Sequence, residues 1–234
     1  FKSIFSNIFL SMDKTKSDLK GVYDNIGTEF SATRAFLWPE LEVFIPYIGP
    51  GFKVLDLGCG NGRLITALDK AKVEYDYLGI DFSEKLIGEA KNKFPGKNFR
   101  VADMSEIDFE ENSFDMVFMV ASFHHLAGNY QRQNLLKKIN HCLKPGGYLF
   151  MTNWNLWQKK YLKYFFKDLF KKKSINDFFI PYTLPDKSAN YQRYYHSFSK
   201  NELEKLLLNS NFVLEPKGVY KTKFNINALV KKSN

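Results

Sequence analysis

Short apolar runs alternate with amphipathic runs from Lys53 to Asn153, and this alternation restricts the possible folds more than any other feature. Lys53–Leu57, Tyr77–Ile80, Asn98–Ala102, Phe114–Ala121 and Tyr148–Asn153 read as strands. Arg63–Lys70, Glu84–Lys93 and Gln131–Leu143 read as the helices between them. Phe114–Ala121 reads FDMVFMVA, apolar at nearly every position, so both of its faces must be buried. Strands of this kind separated by helices predict a parallel sheet with helices on both sides. A helix over Lys200–Asn209 and strands near Phe212–Tyr220 and Phe224–Val230 follow. The expected fold is α/β: a Rossmann-like three-layer sandwich whose seven-stranded, mostly parallel sheet ends in an antiparallel hairpin.

A chain of 234 residues suits one domain with a full core. Within it, residues 1–50 are expected to form N-terminal helices over the cofactor site. Residues 51–153 are expected to form the α/β core, 154–197 a basic aromatic insertion, and 198–234 the final helix and strands. Phe1, Ile4, Phe5, Ile8 and Phe9 recur at helical spacing and predict a helix docked on the domain. Ser17–Phe30 reads as a helix with Ser17 as its N-cap, and a second helix is expected from Trp38-Pro39 toward Tyr47.

No apolar run is long enough to span a bilayer. Cys59 and Cys142 form neither a disulfide framework nor a metal-ligand spacing, so both are expected as buried free thiols in a reducing compartment, the cytoplasm. The net charge of +9 favours polyanionic partners.

In an open α/β sheet, ligands bind at the carboxyl ends of the strands, where strand order reverses. The first strand runs into Asp56-Leu57-Gly58-Cys59-Gly60-Asn61-Gly62. Its glycines let the backbone turn tightly and a ligand lie against it. The spacing is G-x-G-x-G, with Arg63 where a dinucleotide fingerprint would carry its third glycine. Asp56 suits a ligand bearing an ammonium group and would repel a pyrophosphate. S-adenosylmethionine carries an amino acid and no phosphate. Asp81, at the end of the second strand, can accept hydrogen bonds from ribose hydroxyls. Asp103 and Met104, at the end of the third, can hold the amino group and the face of adenine. The bland alternative is that the glycines only turn the chain and each aspartate only caps a helix, as Asp81-Phe82-Ser83 could.

VLDLGCGNGR, LGIDFS, VADM, FDMVFMVASFHHL and LKPGGYLFMT, in that order, resemble the class I S-adenosylmethionine methyltransferases. The resemblance implies that cofactor, with Asp81 on the ribose, Asp103 and Met104 near adenine, and Cys59, Phe82 and Val120 along the same site.

His124 and His125 follow the fourth strand and face the expected methyl-transfer position, as base or as acceptor-positioning groups; a packing role for one of them is equally open. Tyr23-Asp24-Asn25-Ile26, Phe30–Arg34, Trp38-Pro39 and Arg193–Phe198 resemble the tRNA methyltransferases that esterify the carboxymethyl group of wobble uridine. That resemblance places Tyr23 by the cofactor and Arg34 by the acceptor, and it implies tRNA and a small activating protein as partners. An arginine suits a carboxylate acceptor, which it can orient through a planar pair of donors. Two departures remove positive charge: Ala35-Phe36-Leu37 replaces a basic, proline-containing stretch, and only Arg132 stands near the place of an arginine pair.

Asn155–Lys173 carries seven lysines and one aspartate among six aromatic residues. Lysines neutralise phosphates and aromatic faces stack on bases, so the segment suits RNA. Lys159, Lys163, Lys167 and Lys171 also recur as on the solvated face of an ordinary amphipathic lid. A small-molecule methyltransferase with that segment as its substrate lid is the alternative reading.

Overall fold

The computed structural model describes residues 19–25, 38–167, 174–184, 187 and 190–234. The expected helix over Phe1–Phe9, the start and end of the Ser17–Phe30 helix, and Arg34 lie outside them. Residues 19–25 are helical.

The core runs β1 (Phe52–Leu57), α1 (Arg63–Leu68), β2 (Tyr75–Asp81), α2 (Glu84–Lys93), β3 (Asn98–Val101), β4 (Phe114–Val120), α3 (Asn129–Cys142) and β5 (Leu143–Trp154). After α4 (Lys159–Lys167) come β6 (Asp177–Thr183), β7 (Asn190–His196), α5 (Lys200–Leu208), β8 (Phe212–Lys221) and β9 (Asn225–Lys232). The main sheet has seven strands in the order β3-β2-β1-β4-β5-β9-β8. Only the β5–β9 and β8–β9 pairings in it are antiparallel. This is the fold the alternation predicts.

Both faces of β4 are buried because its side chains alternate between two cores. Val117 and Met119 join α3 and α5 on one side, while Met116 and Phe118 join α1, α2 and the segment around Phe44 on the other. Apolar residues are therefore needed from Met116 to Met119, while Asp115 at the start of the strand pairs with Lys144 at 2.8 Å.

Two expectations change. Instead of a helix from Trp38 to Tyr47, the chain makes two short 3-10 turns, Pro39–Glu42 and Ile45–Tyr47. Pro46 is the physical reason, since it lacks the N–H that a continuing helix would need. The insertion also holds more than a lid helix: β6 and β7 pair as a separate two-stranded antiparallel sheet.

Candidate active site

Strand order reverses between β1 and β4, and a cavity of about 420 Å³ opens there at the carboxyl ends of β1 to β4. The glycine loop forms its floor. Gly58 and Cys59 donate backbone N–H bonds to the Ile80 carbonyl at 2.7 and 3.0 Å, and Gly60 donates to Asp81 Oδ2 at 2.9 Å. Strand β2 therefore fixes the loop from below.

The glycines serve different ends. Gly58 has φ +77°, and a Cβ on it would sit 2.3 Å from the Ser122 Cβ. Ser122 occupies that place because its hydroxyl donates to the Leu57 carbonyl at 2.6 Å. Gly60 has φ +55°, and its Cβ direction is open space. Gly62 was expected at the cofactor but does not line the cavity. It caps the start of α1, and a Cβ there would press on Phe94 and Phe99.

Asp56 is buried at the base of the cavity. Its Oδ2 accepts the Tyr77 hydroxyl at 2.8 Å, and its Oδ1 is buried without a hydrogen-bond partner. Burial pushes its carboxyl up to about 7, against the opposing Tyr77 hydrogen bond and with the Asp81 charge adding to the rise. A buried carboxylate oxygen without a donor is costly, and a bound cation would satisfy it. Asp81 is also raised by burial, to about 6, although Ser83 and Gly60 both donate to it. It organises the turn into α2, as the bland reading held, while still lining the cavity. Asp103 Oδ1 likewise accepts both the backbone and the hydroxyl of Ser105, at 2.8 and 2.7 Å. A buried acid with one oxygen lacking a donor, and an open glycine above it, fit an ammonium-bearing cofactor that lies on the loop.

Tyr23, Cys59, Phe82, Met104, Val120, His124 and His125 all line the cavity as well. His125 is held from two directions. Its Nδ1 lies 2.8 Å from the Tyr194 carbonyl, which can only accept, so Nδ1 carries the proton. On the singly protonated ring Nε2 is left as the acceptor, 3.0 Å from the Tyr23 hydroxyl. His124 is buried; its Nδ1 accepts the Trp154 backbone N–H at 3.2 Å.

Trp154 and Tyr195, two wall residues that the sequence reading did not single out, stack at 5.1 Å with a 9° interplanar angle. The only hint was that Tyr195 lies in the RYYHSF segment; which of two adjacent tyrosines faces the cavity depends on strand register. Tyr194 points the other way. Its hydroxyl lies 2.8 Å from Asp177 Oδ1 and 3.0 Å from Arg132 Nη2. Arg132 is buried in this network, also bonding the Leu126 carbonyl, and does not line the cavity. No residue of α4 lines it either. The β6–β7 hairpin, through Tyr195, forms the wall expected of the lid helix, while α4 packs Phe165 against Phe178.

The methyltransferase-domain family profile matches residues 55–151. The chain is 29% identical over 204 residues to the tRNA (carboxymethyluridine(34)-5-O)-methyltransferase of Schizosaccharomyces pombe, covering 80% of this chain and 84% of that one. It is 30% identical over 193 residues to an Encephalitozoon cuniculi chain named as a methyltransferase, covering 81% and 84%. It spans only 30–36% of several longer relatives. Among solved structures, a Methanosarcina mazei S-adenosylmethionine-dependent methyltransferase matches with a TM-score of 0.70 and 23% identity, covering 84% of this chain and 98% of that one. The chain belongs to the class I S-adenosylmethionine-dependent methyltransferase family.

Proposed function

We propose that the chain methylates tRNA, esterifying the carboxymethyl group of a wobble uridine, and that the cavity is where the reaction occurs. One observation carries this reading. His125 is bonded to Tyr23 and to the Tyr194 carbonyl, so two segments that resemble the wobble-uridine enzymes meet at the histidine pair. The names of relatives similar over four-fifths of this chain add support.

Bound S-adenosylmethionine supplies an electrophilic methyl carbon on a sulfonium, which leaves as a neutral thioether. Asp56 takes the ammonium group, Asp81 the ribose hydroxyls, and Asp103 with Met104 the adenine. The backbone of Gly58, Cys59 and Gly60 underlies the ligand, with Phe82 and Val120 as apolar walls. A carboxylate acceptor is already anionic, so no general base is required. The protein's task is to align the acceptor oxygen behind the methyl carbon and keep water out. His125, His124 and Arg34 are assigned to that alignment, Arg34 as the partner of the acceptor carboxylate. A small activating protein is implied by the same resemblance, and the two buried free thiols suit work in the cytoplasm.

The test uses methyl-labelled cofactor and tRNA carrying carboxymethyluridine, with and without a small activating protein. Label should enter the tRNA and leave as methanol in mild alkali, because esters saponify and N- or C-methyl groups do not. Alkali-stable label, or none in either condition, overturns the reading. A small aromatic acid as acceptor is the second reading, favoured by the stacked Trp154–Tyr195 wall and a cavity of small-molecule size. Methylation of such acids but not of tRNA would decide for it.

A further inference from the structure

The cavity accounts for the glycine loop, the aspartates and the histidine pair, but not for the basic charge of the chain. Five exposed lysines left outside it lie on two segments, and one from each segment reaches a shared aromatic ring. Lys159, Lys160 and Lys163 lie on α4, and Lys221 and Lys223 at the β8–β9 turn, all exposed. The two groups are more than fifty residues apart in sequence. Lys160 from one and Lys223 from the other reach Phe224, a residue 50% exposed. The Lys160 ammonium lies 5.9 Å from the centre of that ring, and the Lys223 ammonium 5.1 Å from it.

Lys70, Lys138, Lys144 and Lys231 each pair with a carboxylate. None of these five lysines forms an ion pair among the described residues. Glu40 reaches the same turn but accepts from Thr222 Oγ1 at 2.8 Å and Asn225 Nδ2 at 3.2 Å, so it opposes the lysine charge there only in part. A solvated helix face explains the α4 lysines alone. It does not explain why a second segment brings Lys223 to the same half-exposed aromatic ring as Lys160.

The patch adjoins the end of β5, which supplies part of the cavity wall. Asn155 donates its backbone N–H to the Phe224 carbonyl at 2.9 Å, and Trp154, one residue earlier, is part of the cavity wall. A polymer lying across the patch therefore has its next nucleotides within reach of the pocket mouth. Lysines flanking an aromatic face match the chemistry of an unstacked RNA loop, with phosphates for the ammonium groups and a base for the ring.

We propose that Lys159, Lys160, Lys163, Lys221, Lys223 and Phe224 hold the phosphate backbone and one unstacked base of the RNA whose modified nucleotide enters the cavity. This rests on the reading of the chain as a tRNA methyltransferase. The test compares wild type with Lys160→Ala/Lys223→Ala, Phe224→Ala, the double Arg replacement of the same two lysines, and a Lys91→Ala/Lys93→Ala control. Lys91 and Lys93 are exposed in the last turn of α2, at the opposite end of that helix from the cavity. Affinity for tRNA is measured at several salt concentrations, and cofactor affinity by calorimetry.

The double Ala variant should bind tRNA at least about tenfold more weakly, and its log–log salt slope should fall by about 1.4, the value for two lost phosphate contacts to a single strand. Phe224→Ala should lose about tenfold through stacking. The Arg pair should restore binding, the control should match wild type, and cofactor affinity should stay within about twofold throughout. If wild type methylates tRNA and the double Ala variant equals it, the surface assignment falls and the function stands. If wild type neither binds nor methylates tRNA, both fall. The assignment also falls if cofactor affinity drops in parallel, or if the two lysines govern binding to phosphatidylserine vesicles more than to tRNA.

Discussion

The Tyr23 hydroxyl lies 3.0 Å from Nε2 of His125, joining the N-terminal helical segment to the loop after β4 across 102 residues. Because Nδ1 of the same ring faces the Tyr194 carbonyl, this bond fixes both the tautomer and the tilt of the imidazole. Tyr23→Phe removes the donor and keeps the ring. The expected result is a ten- to hundredfold fall in kcat/KM, matching the roughly 1–3 kcal/mol cost of leaving a partly buried acceptor unmet. Cofactor affinity should change by less than about threefold. Steady-state kinetics with calorimetry checks this, and unchanged turnover would show that His125 needs no such orientation.

Asp56 gives cofactor binding a pH dependence. Its carboxyl, raised to about 7 by burial, must be ionised to take an ammonium group. Cofactor affinity should therefore fall as pH drops below about 7, approaching tenfold per unit. The sign for stability is opposite. The folded state binds this proton more tightly than the unfolded chain, so folding stability is lost as pH rises from about 4 toward 7. Asp56→Asn should raise the Tm of the cofactor-free protein by about 5 °C at pH 8, and by less at pH 5, while abolishing cofactor binding. Thermal melts at the two pH values with calorimetry test both halves.

Gly58 and Gly60 should fail differently. Gly58→Ala drives a Cβ against Ser122 at a positive φ and is expected to cost at least about 2 kcal/mol of stability. Gly60→Ala meets no neighbour and carries only the backbone strain, about 1 kcal/mol. Its Cβ instead enters space assigned to the ligand, so cofactor affinity should drop while the melting curve barely moves. Equal effects of the two substitutions on melting would contradict this division.

The β6–β7 hairpin is fastened by His196, whose Nδ1 lies 2.8 Å from Asp177 and Nε2 2.7 Å from Glu202. Burial pushes the Asp177 carboxyl up, but bonds from His196 and Tyr194 outweigh it and leave the group below the ordinary carboxylate value. Glu202 is lowered in the same way, mainly by His196 working against burial. Acids with lowered values stabilise the fold fully above their unfolded values, near pH 4, and lose that contribution as pH falls through the lowered ones. Asp177→Ala leaves both Tyr194 and His196 without this acceptor and should cost about 3 kcal/mol. Denaturant unfolding at pH 7 and pH 3 measures it, and the gap between wild type and variant should narrow at pH 3.

Much of this protein was legible in the sequence because its signals are local. Burial on both faces makes β4 apolar throughout its buried stretch, and the tight turn after β1 requires glycine at positive φ. Acids at strand ends fall in fixed order, so Asp56, Asp81, Asp103 and Met104 could be located by spacing alone. Cys59, Phe82 and Val120 came to the cavity through the family resemblance. Tertiary structure decided what spacing does not encode. Gly62 packs against Phe94 and Phe99 because α2 and β3 converge there, not because a ligand does. The wall opposite the loop comes from Tyr195 and not Tyr194, since a strand's register, set by distant pairing, selects which of two neighbours faces inward. The same long-range packing buries Arg132 in a structural network and brings Lys160 and Lys223 over one ring.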